Sequence, residues 1–204
     1  MKEEKTTLDN ILNAAKKEFL AKGFKTSSLR TIVKAANVTT GAFYGYFKSK
    51  EELFDMLVKE QYKLLMKKYK QAQSDFSKLT PEQQKNGVGE ISGECMIWMT
   101  EYVYENKDAF KLLLCCSEGT KYENMIHEMV EIEIEATHAF AKILKDLGSD
   151  EYKIDLQLEH MLVSGMFAAF FELIIHDIPY ENAKQYVQDL RMFYTAGWQK
   201  IMGF

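Results

Sequence analysis

Residues 23–53 read GFKTSSLRTIVKAANVTTGAFYGYFKSKEEL, and the fold is decided there. Ser27 or Ser28 offers the side-chain oxygen that caps a helix start, and Leu29, Ile32 and Val33 then line one face of a short helix running to Ala36. Asn37 follows, a residue that enters the left-handed region more readily than most, so the chain can reverse before Thr39 caps another short helix through Tyr46. Two short helices across a tight turn form a helix-turn-helix, whose second helix enters the DNA major groove by its first residues while the first crosses the backbone. The second helix here opens Thr39-Thr40-Gly41-Ala42, small enough for close approach, with two hydroxyls and a methyl group to meet base edges. Phe43 and Phe47, four apart, point inward with Ile32 and Val38. Tyr44 and Tyr46 fall on other faces, where their hydroxyls and the charges of Lys48 and Lys50 suit phosphate oxygens.

Helix signals continue outward on both sides. Leu8, Ile11, Leu12, Ala15 and Phe19 stripe a helix over 7–22, which Gly23 ends with a left-handed cap. Ser49 and Glu52 form a capping box for a long fourth helix to about Gln73, a rigid lever leading out of the head. Residues 74–79 read as a loop. Thr80, Pro81 and Gln83 start a fifth helix with early turns weakened by Gly87, Gly89 and Gly93. Further helices are read over 107–116, 122–147, 154–176 and 179–202. The expectation is an all-α protein of about nine helices, a three-helix helix-turn-helix head over 1–48 followed by a helical bundle over 49–204.

Composition agrees with this. Two prolines and 11 glycines in 204 residues are few for the many turns of a β-sandwich or barrel, and 47% apolar residues can bury a sizeable core. The net charge of −4 conceals an asymmetry: residues 1–50 carry ten Lys/Arg against four Asp/Glu, and the rest carry 16 against 26. A basic head attracts phosphates by counterion release, and an acidic body is repelled from DNA and keeps the head towards it. Cys95, Cys115 and Cys116 are odd in number and two are adjacent, which suits a reducing compartment; with no apolar stretch near the amino terminus, a cytoplasmic location is expected.

The Gly-aromatic opening, the Ser-Leu-Arg-x-Ile segment, the Val-Thr-x-Gly-x-Phe-Tyr-x-Tyr-Phe segment and the Ser-Lys-Glu-x-Leu ending closely resemble the TetR family of bacterial transcriptional regulators, over roughly residues 7 to 55. The resemblance implies a nine- or ten-helix homodimer with a DNA-binding head and an effector-binding body. It makes Ser27, Ser28, Arg30, Thr39, Thr40, Gly41, Ala42, Tyr44, Tyr46 and Lys50 the candidates for contact with double-stranded DNA. It also favours a repressor over an activator. Asn37, where the family usually has Gly, Thr31 in place of Asp and Val33 in place of Ala are small departures; Gly45 removes a side chain from the reading helix.

In the body, the run from Met161 to Ile175 is apolar nearly all round and needs cover on several sides. A membrane span fails because Glu159, His160 and Glu172 interrupt it. Leu162, Gly165 and Ala169 with Leu190, Phe193, Tyr194, Gly197 and Ile201 therefore become candidates for a four-helix contact between two copies. Trp98, Met99, Tyr102, Phe110, Met125, Met129, Phe167 and Phe171 are candidates to line an effector pocket, chosen because aromatic and Met side chains suit irregular apolar ligands. Glu94, Glu118, Glu135, Glu172 or a histidine would meet a cationic group there. A helical-bundle metalloenzyme is the alternative, suggested by Glu135-x-x-His138, but a di-iron bundle needs that motif twice. His127, His160 and His176 show no partner at metal-ligand spacing. Neither metal nor cofactor is expected, and the function expected is a non-enzymatic regulator released from a palindromic operator by a small, largely apolar effector.

Overall fold

The computed structural model describes residues 6–87, 89–149 and 153–203, and these hold ten helices and no strand. They are α1 (Thr7–Thr26), α2 (Leu29–Ala35), α3 (Thr40–Tyr44), α4 (Lys50–Ser77), α5 (Pro81–Asn86), α6 (Glu90–Glu105), α7 (Lys107–Cys115), α8 (Met125–Asp146), α9 (Leu156–Ile175) and α10 (Tyr180–Met202). Two compact units emerge. One contains the chain up to Lys63 together with Asn106–Glu123, the other Leu64–Glu105 together with residues from Asn124 onward. Compactness thus does not follow a 48/49 boundary, because the first half of α4 and the whole of α7 pack with the head.

The first unit is built on aromatic side chains. Phe19, Phe24 and Phe54 meet with ring centroids 5.2–5.9 Å apart, and Ile11, Ile32, Phe43 and Leu53 are fully buried. Each fully buried Phe contributes about 1.5–3 kcal/mol, so the cluster is a substantial part of the unit's core. Thr6 and Asp9 form a reciprocal capping box at the start of α1. Gly23 has φ 74 and ψ 163, a backbone that side-chain-bearing residues rarely adopt; it kinks the chain, and helical hydrogen bonding resumes as far as Thr26. The kink presents the Phe24 N–H to the Cys116 carbonyl at 2.8 Å, and Lys16 pairs with Asp108 at 2.7 Å, which fastens α1 to the α7 segment. Asp55 holds the same segment by accepting from Lys121 at 2.5 Å and from the Tyr122 hydroxyl.

In the second unit α9 packs against α8 and α10, α10 against α6, and α5 against α8. Its core includes Met99, Val103, Met129, Val163, Phe167, Phe171 and Ile174, with a second cluster of Phe140, Leu144 and Met202 flanked by Phe76 and Trp198. The segment read as one fifth helix is two, because Gly87 closes α5 and Gly89 takes φ 86. The expected loop at 74–79 is also shorter, since α4 continues to Ser77. There Gln84 is buried and its amide donates to the Leu79 carbonyl at 2.9 Å, closing the turn between α4 and α5. α9 is long and apolar enough to cross a membrane by length and composition alone. Its Glu159, however, is fully buried and 2.7 Å from His138 Nε2 on α8, the arrangement of a bundle helix.

Candidate functional site

The turn between α2 and α3 is made as its residues dictate. Ser28 caps α2 by accepting from the Thr31 N–H, and the N–H groups of Asn37 and Val38 return to the carbonyls of Lys34 and Val33, with Asn37 at φ 56. Thr39 then caps α3 by accepting from the Ala42 N–H at 3.1 Å. α3 is short, ending at Tyr44 with Gly45 as its cap, so Tyr46 stands just beyond it.

Burial sorts this segment into two faces. Phe43 and Phe47 are inside, with rings 5.6 Å apart. Thr39, Thr40, Gly41 and Ala42 are exposed, as are Tyr44 at 56% and Tyr46 at 49%. Arg30, Lys34 and Lys48 are also exposed, with no carboxylate partner among the described residues. Other head lysines are neutralised within the unit: Lys22 by Glu18 at 3.0 Å and Lys25 by Glu118 at 2.6 Å. Hydroxyls, small side chains and cations without a carboxylate partner are therefore all solvated in this segment, a combination suited to a polyanion.

Two of the sequence-derived candidates stand apart. Ser27 is buried, its hydroxyl donating to the Phe24 carbonyl at 2.6 Å. Lys50 donates to the carbonyls of Phe24 at 2.7 Å and Ser27 at 3.0 Å, and its ammonium lies 4.4 Å from the centre of the Phe24 ring. A lysine at the start of α4 is locally unfavourable to that helix; here the charge is spent on the carbonyl end of α1. Glu18 completes this junction by pairing with Lys22 and accepting from the Ser28 N–H at 3.3 Å, and the Lys22 hydrogen bond holds its carboxyl below the usual range.

The second unit encloses a cavity of about 170 Å³. Its walls come from Tyr69, Gln73 and Phe76 on α4, Cys95, Met96 and Met99 on α6, Glu133, Thr137 and Phe140 on α8, Met166, Phe167 and Phe170 on α9, and Leu190, Arg191, Tyr194 and Trp198 on α10. Of the residues read from sequence as pocket candidates, Met99 and Phe167 line it. Trp98 stacks on Tyr102 with ring centroids 4.9 Å apart, away from the lining, while Met125, Met129 and Phe171 are core and Phe110 belongs to the first unit. Leu190 and Tyr194, read as dimer contacts, also line the cavity.

Two charged groups in the lining went unnoticed in the sequence. Glu133 accepts from the Tyr69 hydroxyl at 2.5 Å and the Gln73 amide at 2.6 Å, and has no cationic partner among the described residues. Burial pushes its carboxyl above the usual range, and the two hydrogen bonds only partly oppose this. None of Glu94, Glu118, Glu135 and Glu172 lines the cavity. Arg191 lies over Gly93, where a Cβ would come within 2.2 Å of its Cζ, so glycine is what admits the guanidinium. The Cys95 thiol, also in the lining, is pushed up to about 11, chiefly by burial, and Cys116 likewise. Both stay protonated and weakly nucleophilic.

The remaining face of α9 and α10 is apolar and uncovered. Met161, Met192, Phe193 at 72% and Ile201 are exposed, Gly197 and Ala168 lie open between them, and Leu162, Gly165 and Ala169 are half-buried beside them. His138, the histidine of the Glu135-x-x-His138 motif, is paired with Glu159.

Residues 11–57 match the family model described as bacterial regulatory proteins, tetR family. The chain is 44% identical over 61 residues to the uncharacterized HTH-type transcriptional regulator YhgD of Bacillus subtilis (strain 168), and 39% identical over 57 residues to the transposon Tn10 TetC protein of Escherichia coli. These matches span 30% and 28% of this chain and only 30% and 29% of those two proteins. Beyond the head the likeness is one of fold. A TetR-family transcriptional regulator from Streptomyces coelicolor A3 superposes with a TM-score of 0.57 at 18% identity, covering 92% of this chain and 90% of its own. By these matches, residues 11–57 are similar to the tetR family of bacterial regulatory proteins, and the chain as a whole shares the fold of the Streptomyces coelicolor regulator.

Proposed function

We propose that the protein is a homodimeric transcriptional repressor whose head, residues 1–48, binds a palindromic DNA operator and whose body, residues 49–204, binds a small, largely apolar effector that releases it. The observation that carries this reading is the division of 39–47 into a buried pair, Phe43 and Phe47, and an exposed face of small, hydroxyl-bearing and aromatic residues. An interior strut would bury both faces. Two heads on one dimer would reach successive major grooves about 34–36 Å apart. An effector that prefers a different head spacing lowers DNA affinity by linkage, and α4, a single helix with residues in both units, is the element to transmit it. The exposed apolar face of α9 and α10 supports association of two copies, and the aromatic cavity supports an apolar ligand. A cytoplasmic site of action accompanies this reading.

Selecting bound DNA from a random pool tests the head: enrichment of a two-fold symmetric sequence is expected, and the absence of any enriched sequence overturns the proposal. Screening for compounds that release the selected DNA then tests the body, and sedimentation of Phe193→Asp tests the dimer, with a shift towards monomer expected.

A further inference from the structure

On the outer side of the α8–α9 seam three side chains converge without bonding to one another. His127 and Glu131 sit one turn apart on α8, with His127 Nδ1 3.9 Å from Glu131 Oε1. His160 on α9 reaches towards the same oxygen, its Nε2 4.0 Å away. The three donor atoms all lie within 4.8 Å of one another. These separations are too long for hydrogen bonds, and no lysine or arginine among the described residues pairs with Glu131. A point about 2.5 Å or less from all three donors exists, and small side-chain rotations bring it to the roughly 2.0–2.1 Å of a Zn–N bond.

A second observation bears on one donor. His160 Nδ1 lies 3.3 Å from the Ser164 hydroxyl, one turn further along α9. When Nδ1 carries the proton and donates to Ser164 Oγ, Nε2 keeps its lone pair for an ion, the relation that outer partners impose on metal-ligating histidines. The neighbouring pair shows the contrast: His138 and Glu159 meet directly at 2.7 Å and leave no room for an ion.

We propose that His127, Glu131 and His160 bind a divalent late transition metal ion, Zn2+ or Ni2+, which ties α8 to α9. Two imidazoles and a carboxylate suit such ions over Mg2+ or Ca2+, which take all-oxygen ligand sets. The three side chains are exposed, so ions reach them freely and water fills the remaining coordination positions. This site is separate from the cavity and from the helix-turn-helix, and it does not depend on the effector reading.

The test is calorimetric titration of the full-length, chelator-stripped protein with Zn2+, Ni2+ and Mg2+. One equivalent of Zn2+ or Ni2+ per chain is expected, with no binding of Mg2+ and a higher melting midpoint in the bound form. His127→Ala and His160→Ala should each weaken binding by at least about tenfold, because losing even an outer partner commonly costs 10–100-fold. Both side chains are exposed, so the metal-free variants should melt with the parent. Ser164→Ala should weaken binding less than either, whereas His176→Ala and Cys115→Ser should leave it unchanged. Co2+ bound at the same stoichiometry should show no thiolate charge-transfer band. Absence of stoichiometric binding, binding that survives both histidine substitutions, or a thiolate band overturns the proposal.

Discussion

Replacing Lys50 by Met separates a structural role from a phosphate contact. In the protein the Lys50 ammonium donates to two carbonyls at the end of α1, 2.7 and 3.0 Å away, and lies 4.4 Å from the Phe24 ring centre. Hydrogen bonds to a charged partner are worth about 1.5–3 kcal/mol, and a cation over an aromatic ring adds about 0.5–1 kcal/mol at accessible sites. The ammonium is partly solvated, so water replaces some of what is lost, and the expected net cost is about 1.5–3 kcal/mol for the whole substitution. Met keeps most of the aliphatic stem, which leaves the packing on Phe24 largely in place. For a chain of this size, 1 kcal/mol shifts the midpoint by about 2–4 °C, so a fall of roughly 3–12 °C is expected in thermal unfolding followed by circular dichroism. DNA binding measured well below that midpoint over a range of salt gives the second readout. A phosphate contact contributes about 0.9 to the slope of log K against log salt. An unchanged midpoint with a slope reduced by about one unit would refute the structural assignment and restore Lys50 to the interface.

The other predictions concern the exposed face and two carboxyls of opposite behaviour. Ala42→Ser, on the solvated side of α3, should alter which operator sequence is preferred while leaving the melting midpoint unchanged; an equal loss across all sequences would contradict base contact. Burial raises the Asp55 carboxyl, but hydrogen bonds from Lys121 and Tyr122 outweigh it and hold the group below the carboxylate range. Its stabilising contribution is therefore complete above the unfolded value near 3.9 and disappears as pH falls through the lower folded value, so Asp55→Asn should lower stability at pH 7 and flatten the acid limb in urea unfolding. Glu133 has the opposite sign. Its folded pKa is raised by burial, so the penalty for ionising it appears as pH rises through the unfolded value near 4.3 and is full above the folded one. Glu133→Gln, which keeps an oxygen to accept from Tyr69 and Gln73, should stabilise the protein at neutral pH, with the gain vanishing in acid; a gain independent of pH would show that charge burial is not its cause.

The head was legible because its residues act locally. Capping by Ser28 and Thr39, the left-handed Asn37 and the inward spacing of Phe43 and Phe47 each involve partners within a few positions, and the structure contains them as read. The same locality does not disclose how Ser27 and Lys50 are held. Both sit where a DNA contact is plausible by neighbourhood, and both are drawn inward by carbonyls that the Gly23 kink leaves accessible, a backbone geometry no side-chain pattern announces.

The body was less legible because helical periodicity says which face is buried but not what it is buried against. Met129 and Met99 are both apolar, both at helical spacing and both buried, yet one is core and the other borders the cavity. The distinction depends on Gly93, which lets Arg191 lie close to α6, and on Tyr69 and Gln73, which turn a glutamate inward more than 55 residues away. Glu133 carried no sequence signal by which to choose it over Glu131 or Glu135, since all three lie within two turns of α8. What separates them is the environment each finds. Glu133 meets a hydroxyl and an amide in the interior, Glu131 meets His127 and His160 at the surface, and Glu135 is exposed. A single helix thus distributes three identical side chains among an interior polar site, a metal-ligand constellation and solvent. The cheapest discriminator between these roles is charge removal one residue at a time: Glu133→Gln should change stability with pH, Glu131→Gln should change metal affinity alone, and Glu135→Gln should change neither.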